Sequence, residues 1–63
     1  MYILFDSRAR GGDRSDTAAV LELDDSLKKL KIAAVDHGGG AIYEADYDDE
    51  SGALVNERFV EDV

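Results

Sequence analysis

Two groups of residues in this chain suit the recognition of charged partners. Glu44, Asp46 and Asp48 recur at two-residue spacing in AIYEADYD, which on an extended strand places them along one face, about 6–7 Å apart. That interval is close to the separation of successive phosphates on one nucleic-acid strand. A sheet edge carrying such a row could occupy the basic groove of a nucleic-acid-binding protein and compete with its usual ligand. Asp49, Glu50 and Glu57 extend the same acidic face. The second group is Arg8, Arg10 and Arg14 around Gly11 and Gly12 in SRARGGDR. Guanidinium forks, with backbone N–H groups freed by two glycines, suit a phosphate or carboxylate. The spacing fits neither the P-loop pattern nor GxGxxG, so nothing in it specifies a nucleotide. The competing role for these arginines is pairing with Asp6, Asp13, Asp16 or the acidic C-terminal segment, at about 0–1 kcal/mol per surface pair.

Two other features fail as chemistry on geometric grounds. His37 is the sole histidine and Asp36 adjoins it, but consecutive helical residues point about 100° apart, which is poor geometry for a general-base pair. No serine or threonine stands at a spacing that completes a hydrolytic set, and His37 reads as a helix-end residue. The run DYDDESG offers clustered oxygen ligands, yet a calcium loop needs glycine at its sixth position and a glutamate at its twelfth. Starting from Asp46 these positions hold Ser51 and Glu57; starting from Asp48 they hold Ala53 and Phe59. No metal and no cofactor is expected, and the chain is not expected to be an enzyme. With 63 residues and no cysteine, its apolar side chains are spent on one minimal core, leaving little for a closed catalytic pocket.

Charge sorts the possible partners. The formal net charge is −8. Residues 1–35 hold six basic and six acidic side chains, whereas residues 36–63 hold nine acids and Arg58 alone. A single-sign field of this kind repels phosphate backbones and anionic lipid, so direct binding to nucleic acid or membrane is disfavoured and a protein with a basic surface is the expected partner. No apolar run reaches the 18 residues of a membrane helix and no signal-like segment follows Met1, so the expected location is cytoplasmic.

The elements that must position these residues follow from periodicity and breakers. YILF (residues 2–5) reads as a strand, and residues 6–16 as a long charged loop. TAAVLELD (residues 17–24) alternates as a second strand, with Ala19, Leu21 and Leu23 on one face. Asp24, Asp25 or Ser26 can cap a helix from Leu27, whose stripe of Leu27, Leu30, Ala34 and Val35 spans about 140°. Lys31 lies inside that stripe and Ile32 outside it, so a shorter helix followed by a strand KIAAV competes. Gly38 to Gly40 end the helix. AIYEADYD and ALVNERFV (residues 53–60) form a hairpin about DESG, with Ala41, Tyr43, Ala45 and Tyr47 on one face of its first strand. On its second strand Val55, Glu57 and Phe59 share one face and Leu54, Asn56, Arg58 and Val60 the other. The expected fold is a single α+β domain over residues 1–63, of order ββαββ, an antiparallel sheet with one helix packed on one face.

The function expected of this fold is a small acidic protein-binding or regulatory module, including an inhibitor that fills the basic surface of a nucleic-acid-binding protein. A binder of small anions through Arg8, Arg10 and Arg14 is one alternative. A structural subunit whose exposed edge strand completes a homo-oligomer is the other.

Overall fold

The computed structural model describes residues 1–13 and 16–63, and among them the chain forms four strands and one α-helix. These are β1 (Tyr2–Phe5), β2 (Val20–Asp24), α1 (Leu27–Asp36), β3 (Ala41–Asp48) and β4 (Ala53–Asp62). The sheet order is β2-β1-β3-β4 and each neighbouring pair is antiparallel. β2 and β3 therefore flank β1 and run the same way, and α1 lies in the crossover between them. The architecture is a small α+β domain with one helix on a four-stranded antiparallel sheet, as the order of elements in the sequence implies.

The helix begins where a hydroxyl can replace the missing turn. Ser26 Oγ accepts from the Lys29 amide at 3.3 Å, and Asp24 Oδ1 accepts from the Ser26 amide at 2.8 Å, so of the three candidate caps Ser26 acts directly and Asp24 fixes it. At the other end Gly38 N donates to Val35 O at 3.0 Å and Gly39 N to Ala34 O at 2.7 Å. This closure needs Gly38 at φ +84, a conformation that costs a side-chain-bearing residue about 1–2 kcal/mol. Residues 32–35 are helix, not the competing strand. The predicted stripe was too wide. Leu30 and Ala34 are buried and Leu27 partly so, but Val35 is 68% exposed. Leu27, Leu30 and Ala34 occupy only about 60° of the helix, and Val35 lies a further 80° round.

Both faces of β1 are covered, which divides the core in two. Leu4 and Ile42 of the sheet pack against Leu30 and Ala34 of α1, with Tyr2, Leu21 and Val60 at the margin. On the opposite face Ile3, Phe5, Ala41, Tyr43 and Ala45 pack with Ala9. Ala9 comes from a short 3-10 segment, Ser7–Gly12, inside the stretch expected to be a charged loop. Asp6 accepts from the amides of Arg8 and Ala19 at 3.0 and 3.2 Å and turns the chain back, so Ala9 is fully buried while Arg8 and Arg10 point outward. The Tyr43 hydroxyl donates to Ala9 O at 3.4 Å. Phe5 and Tyr43 meet edge to face at 5.3 Å, as do Tyr43 and Phe59 at 5.6 Å, a geometry worth about 0.5–1.5 kcal/mol per pair beyond burial.

Irregularities in two strands overturn the expected side-chain alternations. The second strand begins at Val20 instead of residue 17. A bulge there sets Leu4 opposite Glu22 and Phe5 opposite Val20, so Leu21 packs under the helix. Leu23, opposite Ile3, faces the other way and is 50% exposed. In β4, Arg58 pairs with Glu44 while Val55 pairs with Asp46, leaving Asn56 and Glu57 opposite Ala45. Asn56 adopts φ +56 to make this bulge. One extra residue inverts the facing of all that follows, so Leu54 joins Phe59 on the 3-10 face and Val55 joins Arg58 on the other.

Two substitutions test these constraints. A Cβ on Gly40 would run into the carbonyl oxygen of Phe5, which the sheet cannot move, so Gly40→Ala should cost at least about 2 kcal/mol and lower Tm by about 8 °C or more. Asn56→Val should destabilise by about 1–2 kcal/mol and Asn56→Gly by far less, measured by urea unfolding.

Candidate functional site

Strand length decides where the acidic residues stand. β1 pairs with β3 only from Ala41 to Glu44, whereas β3 and β4 continue together to Asp48 and Ala53. Residues 46–55 therefore form a two-stranded ribbon extending past β1. The ribbon carries Asp46, Asp48, Asp49 and Glu50 and no basic residue. Tyr47, expected on the covered face, is 61% exposed because no third strand lies beside it, and Val55 is 37% exposed.

Glu44, Asp46 and Asp48 share a face of β3, as their spacing implies, but they are not equivalent charges. Arg58 Nε donates to Glu44 Oε1 at 3.1 Å and Arg58 Nη2 to Asp46 Oδ1 at 3.2 Å. One guanidinium thus bridges two members of the row. The same side chain holds Asn56 O at 3.0 Å, and Asn56 Nδ2 donates to Asp46 Oδ2 at 3.3 Å. Arg58, with help from Asn56, holds the Asp46 carboxyl below its ordinary value, while Asp46 and Glu44 raise the Arg58 guanidinium further. Asp48 organises the turn: its carboxylate accepts from Glu50 N at 3.1 Å and from Ser51 Oγ at 2.9 Å. Asp49 and Glu50 stand exposed at the tip, and Glu57 is exposed in the bulge of β4.

The arginine loop is tied to backbone. Arg8 Nη1 donates to Thr17 O at 2.9 Å and Arg10 Nη2 to Val63 O at 2.7 Å, while Gly11 N donates to both oxygens of Asp62 at 3.1 and 3.0 Å. The Arg10 and Gly11 bonds fasten the 3-10 segment across the end of β4, and the Arg8 bond ties it to the approach to β2. Arg14 lies outside the described residues. His37 Nε2 sits 3.3 Å from Glu22 Oε2, so its companion is on β2 and not the adjacent Asp36. Among the described residues no three His, Asp or Glu side chains converge on a metal-sized site, and no helix is long and apolar enough to cross a membrane.

Sequence reasoning missed the outer face of α1. Leu27, Lys28, Lys31 and Ile32 line a shallow depression there, and Ile32 is 58% exposed. The signal was present as the misfit of Lys31 and Ile32 to the core stripe. Lys31 Nζ lies 2.8 Å from Glu61 Oε1, a pair joining the helix to β4.

Titration tests the Arg58 bridge. Because Asp46 is held below 3.8 in the folded chain, its contribution is present at neutral pH and is lost as pH falls through that value and below. Arg58→Met should flatten the decline in unfolding free energy between about pH 5 and pH 3 relative to the parent chain; an unchanged slope means the bridge is not formed in solution. Comparison with protein-family models, curated proteins and solved structures finds no match for this chain.

Proposed function

We propose that this chain is a cytoplasmic acidic protein-binding module that presents the tip of its β3–β4 hairpin to a basic protein surface, including one that otherwise holds nucleic acid. The observation that carries this reading is the ribbon itself. It extends past the central strand, bears four carboxylates without a basic residue, and exposes Tyr47 on the face opposite Asp46 and Asp48, next to the acidic turn. An exposed aromatic beside an acidic turn suits protein recognition, since the ring supplies contact area at low entropic cost while the carboxylates steer approach and fix register.

The Arg58 bridge narrows the proposal. With Glu44 and Asp46 partly neutralised, the evenly spaced row of phosphate-like charges contributes less than the tip, so Tyr47, Asp49 and Glu50 are the residues to vary. A lysine- and arginine-rich peptide titrated into the isotope-labelled chain should shift the amide resonances of residues 46–52 first, with affinity falling as salt is raised. The variant Tyr47→Ala, Asp49→Asn, Glu50→Gln should weaken binding about tenfold or more. Shifts centred elsewhere on the molecule, or an affinity the variant leaves unchanged, overturn the reading.

A further inference from the structure

The outer face of α1 has the opposite charge to the hairpin tip. α1 carries Lys28, Lys29 and Lys31 against Asp36 alone, in a chain whose net charge is −8. Lys28 and Lys29 hold no ion pair among the described residues, while Lys31 is shared with Glu61. Between Lys28 and Lys31 the depression is floored by Leu27 and Ile32, and Val35 continues the apolar strip one turn on. A lysine-framed apolar hollow calls for an acidic segment with a bulky apolar anchor. The hairpin tip is such a segment: Tyr47 is exposed, and Asp49 and Glu50 stand exposed at the adjoining turn.

We propose that this hollow receives the hairpin tip of a second copy of the chain, with the Tyr47 ring over Leu27 and Ile32 and the turn carboxylates Asp49 and Glu50 facing Lys28 and Lys31. The inference rests on the tip being the binding surface proposed above. The contact is between molecules: α1 covers one face of the sheet, whereas Tyr47 projects from the other, the face of Tyr43, Ala45 and Leu54. Because the two patches differ, the contact is head-to-tail, each copy offering a tip to one neighbour and a hollow to another. The net charge of the copies opposes their approach at long range, but at about 0.15 M salt that repulsion is screened beyond about 8 Å, while ion pairs in contact persist.

Sedimentation equilibrium of the whole chain at about 0.15 M salt, from about 10 μM to 1 mM, tests this, because a contact this small belongs to the weak class. The average mass should rise with concentration. Tyr47→Ala and Ile32→Asp, both at exposed positions, should each weaken association about tenfold or more. An equimolar mixture of the two variants should recover a 1:1 pair, since each retains the half the other lacks. A monomer at every concentration, or association that both variants leave unchanged, overturns the proposal. Binding of the basic peptide separates the two readings. Ile32→Asp should leave it intact, so a monomeric parent chain that still binds the peptide at its tip removes this inference alone.

Discussion

The structure depends on a four-residue strand buried on both sides. β1 sends Ile3 and Phe5 to one face of the sheet and Tyr2 and Leu4 to the other, and each set needs its own cover. Among the described residues the chain forms one α-helix, and the second cover is the 3-10 segment, which contributes one buried side chain, Ala9. The remaining burial comes from fully enclosed residues such as Leu4, Phe5, Leu30 and Ile42, each worth about 1.5–3 kcal/mol. Surface ion pairs at about 0–1 kcal/mol each cannot substitute for them. The polar contacts of Arg8, Arg10 and Asp62 are therefore best understood as fastenings that hold the thin cover in register over an apolar layer it only just spans.

Much of this was legible in the residues. YILF, the helix from Leu27 and the hairpin strand at Ala41–Asp48 were fixed by apolar periodicity, by Ser26 before the helix and by the glycines after it. What the sequence did not show were relations between elements. Tyr47 alternates with Ala41, Tyr43 and Ala45 and should share their burial, yet it is exposed because β1 ends its pairing at Glu44. A strand's own pattern carries no information about the length of its neighbour. The alternation of β4 misled for a related reason: an asparagine in a strand gives no warning that it will adopt a positive φ and displace every later side chain to the other face.

The candidate site shows the same division. Spacing correctly placed Glu44, Asp46 and Asp48 on one face, because a period of two is a property of the strand itself. It did not reveal that Arg58, the only lysine or arginine in the last 28 residues, would be set opposite Glu44 by the register and draw two of the three carboxylates to itself. The bulge matters here as well, since without the extra residue the facing of Arg58 relative to Val55 would be inverted. Backbone geometry at Asn56 thus sets how much uncompensated charge the hairpin displays, and concentrates it in the residues nearest the turn.

The irregularity of β4 has one more consequence. β4 is an outer strand ten residues long, and a flat strand of that length at the margin of a sheet is a template on which other chains can add indefinitely, the route to fibrils. Register breaks near Asn56 and near Val60 corrugate that margin, and Glu57, Arg58 and Glu61 set charge along it. Such a margin resists being copied strand by strand, which disfavours fibril growth along β4.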